Sequence, residues 1–453
     1  MTRLFSVIVT GYIHIIWSKP MRSAWTYQIE DTKHSPLLVF YEATRACDLV
    51  CKHCRACAQP QSHPNELSTD DSKALIDQLA TFPKKPILVI TGGDPLKRPD
   101  IFELIAYATE SAGLDVSFVP SATPLLNVAS LKKLQKAGIS RLGLSIDGKD
   151  AATHDEQRGI PGTFTHAVDM LKVAKKLGLE TQVNTTITKA NVDQISDMAD
   201  ILEPLNIDLW SVFYLVPVGR GINDLKIDPP QYKDSFAALF RESQRRPFPI
   251  KTTEAPFYRR YLLQQQEILA AMPVKGKGSA EDVARPHRES NGNTSPIPTQ
   301  NGNPRSTSKA PLGLNDGKGI MFVSHIGDVY PSGFLPVDCG NSRQQSVVDI
   351  YQNSDTFKKL RRPEILKGKC GYCNYRCVCG GSRARAKALT GDMLAPEPDC
   401  GYIPPTFAQH INRQKNLGKY TLDNHITTSN TTNIDLLNNE HACTCQQAAA
   451  SDI

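Results

Sequence analysis

Between residues 35 and 215 the chain alternates short apolar runs with amphipathic stretches, and this alternation restricts the fold more than any other feature. Runs at 37–41, 87–90, 116–119, 141–146, 181–187 and 209–215 have the length and apolar character of buried strands. Helical patterns lie between them. Ser68 followed three residues later by Asp71 reads as a short-armed capping box, and Leu75, Ile76 and Leu79 give that helix one apolar face. Pro99-Asp100-Ile101-Phe102 opens a helix that stops near Gly113, and another ends at Gly138. Phe164, Val168, Leu171 and Ala174 line the face of one closed at Gly178, and Asn191 is expected to cap the next. These strand–helix units predict an α/β fold with a parallel, barrel-like sheet and outer helices, six strands in place of the eight of a full barrel. In such folds chemistry sits at the carboxyl ends of the strands.

The loop after the first strand reads Glu42-Ala-Thr-Arg-Ala-Cys47-Asp-Leu-Val-Cys51-Lys-His-Cys54, a C-x3-C-x2-C spacing. Thiolates this close on one loop can converge on a soft metal centre. A 4Fe–4S cluster held by three cysteines leaves one iron open to a substrate or cofactor, whereas a purely electron-carrying cluster normally has four ligands. A zinc loop is the rival reading. Cys57 stands outside the spacing and reads as a small buried thiol. A second group, Cys370-x2-Cys373-x5-Cys379, precedes Gly-Gly-Ser-Arg-Ala-Arg-Ala and then Cys400. Its four thiolates suit an iron–sulfur cluster or a structural zinc site, and Cys377 could substitute for Cys379.

Twelve cysteines in 453 residues are too few for a disulfide scaffold, and their metal-like clustering points to a reducing cytoplasm. The net charge of +6 comes without a dense Lys/Arg block, so nucleic acid is not an expected partner, while an acidic substrate is compatible. Residues 4–17 are apolar but too short to span a bilayer, so stable membrane insertion is not expected. A signal peptide is weakly supported there, and a start at Met21 explains the run equally well. The chain therefore divides into an N-terminal extension (1–34), a core barrel (35–228), a helical bridge (229–271), a disordered linker (272–311), a cysteine-bearing domain (312–405) and a polar flexible tail (406–453). Within the fifth segment, residues 319–330 read as a hairpin of two short strands. Cys339 reads as a bystander, and Cys443 and Cys445 lie in the tail near His441.

The three-cysteine loop and its place after the first strand resemble the signature of the radical S-adenosylmethionine (SAM) superfamily, whose fold is a partial (β/α)6 barrel. The resemblance implies that Cys47, Cys51 and Cys54 hold a 4Fe–4S cluster whose open iron binds SAM. Reductive cleavage of SAM would then yield a 5′-deoxyadenosyl radical that abstracts hydrogen from a substrate. Gly92-Gly93-Asp94-Pro95 resembles the family's Gly-Gly-Glu-Pro-type element, which implies that Gly92, Gly93 and Asp94 hold the amino group of SAM. By the same resemblance Ser145, Asp147 and Asn184 face its ribose and carboxylate, and Val216-Pro-Val-Gly219-Arg220-Gly221 forms the adenine-side wall. Cys370, Cys373, Cys379 and Cys400 resemble the ligands of an auxiliary 4Fe–4S cluster in SPASM and twitch domains, with Ser332 where a further cysteine often falls.

Tyr258, Arg259 and Arg260 read either as part of a solvated turn or as carboxylate-binding groups at the barrel mouth. With a single auxiliary cluster, these features look most like the tetrapyrrole branch, which includes the alternative haem synthase that oxidatively decarboxylates porphyrin propionates. That implies a tetrapyrrole substrate and an electron donor such as flavodoxin or ferredoxin. A SPASM-type maturase acting on a ribosomally made peptide is the alternative, although residues 1–34 are too short for its usual recognition domain. A non-catalytic iron–sulfur electron carrier is the third reading, disfavoured by the missing fourth ligand.

Overall fold

The computed structural model describes residues 26–271 and 311–416. Residues 1–25, the linker up to residue 310 and the tail beyond residue 416 lie outside the described residues, and with them the apolar run at 4–17, Cys443 and Cys445.

A single nine-stranded sheet frames the molecule in the order β7-β6-β5-β4-β3-β2-β1-β8-β9. Its strands are β1 (Leu38–Glu42), β2 (Ile87–Thr91), β3 (Asp115–Phe118), β4 (Arg141–Ser145), β5 (Glu180–Ile187), β6 (Leu209–Tyr214), β7 (Ile250–Thr253), β8 (Ile320–Val323) and β9 (Val329–Tyr330). β1 to β8 pair in parallel, and β9 returns antiparallel to β8. The crossovers are α1 (Thr69–Ala80), α2 (Ile101–Ala106), α3 (Val128–Lys136), α4 (Ala151–Arg158), α5 (Thr163–Lys176) and α6 (Ile195–Leu202). α7 (Pro229–Arg245) and α8 (Phe257–Ala271) flank β7. The C-terminal segment adds α9 (Val347–Asn353), α10 (Asp355–Leu360), α11 (Gly368–Gly371), α12 (Arg383–Thr390) and α13 (Pro405–Asn416).

Strand parity assigns the two faces. Val39, Tyr41, Leu88, Ile90, Val116, Phe118, Leu142 and Leu144 share one core with Leu75, Leu104, Leu131 and Leu171 of the helices. Each such Leu or Val buried contributes ~1.5–3 kcal/mol. The alternate residues, among them Phe40, Thr91, Ser145, Asn184 and Ser211, belong to the opposite, concave face. Ser68 caps α1 as expected, accepting from the Asp71 N–H while the Asp71 carboxylate accepts from the Ser68 N–H.

Several expectations are corrected. Residues 229–271 are not helical throughout, because Ile250-Lys-Thr-Thr, rich in β-branched residues, pairs with β6 as β7. The predicted hairpin is β8–β9, but β8 also joins β1, so the sheet gains strands at both edges of the expected six. Residues 26–34 are not peripheral: Tyr27 is buried with Leu37 and Leu314, and the Tyr351 hydroxyl donates to the Thr32 carbonyl. α4 escaped notice because Ala-Ala-Thr-His-Asp-Glu-Gln-Arg has no apolar stripe. Asn191 stands at the N-cap position of the short 3-10 turn Val192–Gln194 that runs into α6, but its side chain makes no cap bond: its amide donates to the carbonyls of Asp147 and Thr186 and its Oδ1 accepts from the Thr188 N–H. The segment taken as tail opens with α13, whose Phe407 ring packs on Tyr372.

A fully buried ionic knot ties the C-terminal segment to the barrel. Arg385 meets Glu397 and Asp399 at 3.3 Å each and donates to the carbonyls of Tyr214 and Leu215 at the end of β6. Asp399 also pairs with Lys226 at 2.7 Å. Removing one partner strands the rest without water, so Arg385→Met is expected to cost ~3–5 kcal/mol, read as a lowered denaturation midpoint in anaerobic thermal melts.

Candidate active site and second cysteine centre

Beyond Glu42 the chain crosses the carboxyl ends of the strands and presents its three cysteines together. Cys47, Cys51 and Cys54 form one small apolar cluster with Leu49 and Ala58. The N–H groups of Leu49 and Ala58 donate to the sulfurs of Cys47 (3.4 Å) and Cys54 (3.5 Å), and Arg158 Nη1 lies 3.8 Å from Cys51 Sγ. Hydrogen bonds to sulfur of this kind tune an iron–sulfur centre. Burial raises the thiol pKa values of Cys47 and Cys51, so metal binding there would displace protons.

Two glycine contacts set the loop. The N–H of Gly93 donates to Thr44 O (2.8 Å) and that of Asp94 to Ala46 O (2.6 Å), so the strand-end glycines lie directly against the cysteine loop. A Cβ on Gly93 would stand 2.4 Å from Ala46 O, and one on Gly92 2.4 Å from Thr44 O. On the far side Gly219, with φ +63°, presses on the carbonyls of Cys54 and Arg55, and the Arg220 N–H donates to Cys54 O at 2.9 Å. The Val216–Gly221 stretch expected as an adenine wall therefore also clamps the loop.

A cavity of about 150 Å³ opens beside the trio, walled by Leu49, Gly92, Gly93, Ser121, Ser145 and Arg158 among others. Of the residues expected to contact SAM, Gly92, Gly93 and Ser145 are in this wall, whereas Asp94, Asp147 and Asn184 are not. The Asp94 carboxylate is fully buried and spent on Thr123 Oγ1 (2.6 Å) and the N–H groups of Leu96 and Ser121; burial pushes its pKa up. Its short arm turns back into the fold, where it organises the Ser121 loop. Asp147 is also fully buried. It ion-pairs with Arg158, lies 3.5 Å from His53 and accepts from the Thr186 N–H at 2.7 Å. Burial would raise its pKa, but Arg158 and then His53 hold it below the usual range. Asn184 is half-buried and accepts from Gln182 at 2.7 Å.

The reading of the sequence missed Arg158 and His154, both in the cavity wall. They lie four apart on α4 and so share a face, the one signal that could have found them. His154 Nδ1 accepts from the Asp147 N–H at 2.9 Å, which places the proton of the neutral ring on Nε2. Burial and then Arg158 lower its pKa to about 4.

Glu42 was likewise missed as a linker between the two halves. It is buried between Arg55 (2.7 Å) and His325 (2.8 Å). Burial alone would raise its pKa, but Arg55 and then His325 more than offset this and lower it from 4.5 to about 2. The stabilisation is complete above 4.5 and is lost as pH falls through about 2. Glu42→Gln is expected to lose ~3 kcal/mol at neutral pH and to flatten the acid side of the stability profile, checked by melting temperatures across that window.

Cys370, Cys373, Cys379 and Cys400 line one cleft with Arg260, Arg376, Gly381, Glu397 and Tyr402. The Gly381 N–H donates to Cys379 Sγ (3.4 Å) and that of Glu397 to Cys370 Sγ (3.3 Å). Cys377 is exposed and outside this lining. Ser332 is buried and accepts from the Phe334 N–H, away from the cleft, and Cys339 donates to Val337 O. The carboxylate-binding reading of Tyr258, Arg259 and Arg260 is corrected. Tyr258 is buried in the core, Arg259 donates to the carbonyls of Leu314 and Val378, and Arg260 lies over the Tyr402 ring in the second cleft. Among the described residues no group of His, Cys, Asp or Glu is drawn together as a single metal ion requires. Sulfur donors spread along apolar walls, with N–H groups aimed at them, fit polynuclear iron–sulfur groups at both places.

The model of the radical SAM superfamily matches residues 41–203. The AdoMet-dependent heme synthase of Methanosarcina barkeri is 38% identical over 371 residues, covering 82% of this chain and 98% of that protein. The enzyme of the same name from Nitratidesulfovibrio vulgaris is 37% identical over 380 residues, covering 83% and 95%. Among solved structures, Streptococcus suis SuiB bound to S-adenosylmethionine superposes with a TM-score of 0.55 at 17% identity, covering 83% of this chain and 78% of that one, and so shares the fold. Loop, cavity, fold and relatives agree: the chain belongs to the radical SAM superfamily, enzymes that use a 4Fe–4S cluster and SAM, within the group that holds the AdoMet-dependent heme synthases.

Proposed function

We propose that this enzyme oxidises propionate side chains of an iron-bound tetrapyrrole, removing their carboxyl groups in a haem-forming reaction. The observation that carries the reading is the 38% identity to a heme synthase along 98% of its length. With the cluster on Cys47, Cys51 and Cys54 and SAM in the cavity, reductive cleavage supplies a hydrogen-abstracting 5′-deoxyadenosyl radical. Gly92, Gly93 and Ser145 form the surface on which SAM rests, and Arg158 supplies positive charge for its carboxylate. Leu49, Val119 and Ala122 supply the apolar part of a wall that is otherwise polar.

Conversion of a propionate to a vinyl group releases carbon dioxide, one hydrogen atom to the radical and one electron. Cys370, Cys373, Cys379 and Cys400 would hold a second 4Fe–4S cluster, which supplies one-electron capacity in that domain. Flavodoxin or ferredoxin is the proposed physiological donor. Anaerobic incubation with SAM, dithionite and iron-coproporphyrin is expected to give 5′-deoxyadenosine and a porphyrin lighter by carbon dioxide and two hydrogens per converted propionate. SAM cleavage with an unchanged porphyrin mass would defeat the tetrapyrrole reading.

A further inference from the structure

The concave face of the sheet carries a polar row that the SAM cavity does not exhaust. Register places Ser145, Asn184, Ser211 and Lys251 side by side on β4, β5, β6 and β7. Ser145 is in the wall of the SAM cavity, so the row begins at that cavity and runs away from it. At ~4.8 Å per strand, Lys251 stands about 14 Å from Ser145 along the sheet.

Lys251 alternates with the core residue Ile250, which sends its ammonium to the concave face. Its side chain makes no hydrogen bond or ion pair among the described residues, although its backbone pairs with β6. The charges pressing on it are those of Arg141 and Arg259, both positive; with burial first, they lower its pKa to about 8. Arg141 pairs with Glu180 at 3.1 Å but leaves its Nε buried without a hydrogen-bond partner, as is the Ser211 hydroxyl beside Lys251. Arg259 is spent on the carbonyls of Leu314 and Val378. Gly143 lets Val119 and Asn184 pack closely over β4 beside the row, since a Cβ there would stand 3.0 Å from Val119 and 3.4 Å from Asn184. An excess of half-buried positive charge, with the orphaned buried donors of Arg141 and Ser211 beside it, suits an anion from outside the chain.

We infer that Lys251, with Arg141 and Ser211, is a carboxylate-binding subsite that fixes the far rim of the substrate while its near rim meets the SAM cavity. The inference rests on the tetrapyrrole reading and names the residues that would select a ring with several carboxylates. A rim-carboxylated macrocycle bridges the interval between cavity and lysine, where a short acid would reach only one end.

The test is a Soret-band titration of the anaerobic, cluster-loaded enzyme with iron-coproporphyrin. Lys251→Met is expected to raise Kd at least about tenfold, and Lys251→Arg to hold it within about threefold. Arg141→Met, read in the same titration, serves if Lys251→Met does not fold; its Kd should rise in the same direction. Equal Kd for wild type and folded methionine variants would overturn the subsite while leaving the tetrapyrrole reading intact. A wild-type enzyme that binds no porphyrin would overturn both.

Discussion

Cys51→Ala enzyme is expected to form no detectable 5′-deoxyadenosine from SAM and dithionite, while retaining about half of the iron of the reconstituted wild type. The cysteine is buried with Cys47 and Cys54 in its own apolar cluster, and the other four sulfurs line a separate cleft. Loss of one ligand from a set of three leaves too few sulfurs to hold a cluster, and nothing in the second cleft depends on that loop. Cys373→Ala gives the mirror image: SAM cleavage persists, about half the iron is lost, and porphyrin conversion stops. Iron analysis and electron paramagnetic resonance of the two variants separate the centres. Full iron content in both would show that the ligands are assigned wrongly.

Gly93→Ala is expected to have nearly the effect of Cys51→Ala on SAM cleavage, although it touches no sulfur. The added methyl would lie 2.4, 2.7 and 2.8 Å from Ala46 O, Arg45 O and Ala46 C, all of them backbone atoms of the cysteine loop. A flexible side chain could swing aside; a backbone held by the Asp94 N–H to Ala46 O bond cannot without moving Cys47. Overpacking of this kind costs up to ~3 kcal/mol. That cost falls largely on the geometry of the first centre, so iron content should drop by about half, with the melting temperature lowered by several degrees. A Gly93→Ala enzyme that cleaves SAM at the wild-type rate would show that the loop tolerates displacement.

The two cysteine groups and the strand–helix frame were legible because each leaves a local pattern: fixed sulfur spacings, and apolar runs punctuated by turn residues. Ser68 with Asp71 announced the start of α1 for the same reason. What stayed hidden depends on partners distant in sequence. β7 is four residues long, too short for periodicity, and is a strand because β6 offers it an open edge; β8 was legible as an arm of a hairpin, but its pairing with β1 was not. α4 is so polar that its helix leaves no apolar stripe, and it brings Arg158 and His154 to the cavity unannounced. Asp94 and Asp147 were placed correctly at strand ends, but type and position say nothing of where a carboxylate turns. Both turn inward, to Thr123 and to Arg158. Arg259 and Arg260 looked like a basic patch; three-dimensional neighbours convert one into a brace for the C-terminal segment and the other into part of the second cleft.

β8 is laid against β1, and His325 just beyond it grips Glu42 at the base of the cysteine loop. On the ribosome, where synthesis runs at ~5–20 residues per second, the first cysteines emerge tens of seconds before the strand that flanks them. The loop is thus made early and completed late. Until β8 is in place Glu42 has Arg55 but not His325 beside it, so the base of the loop gains its second clamp only when the C-terminal segment has been made.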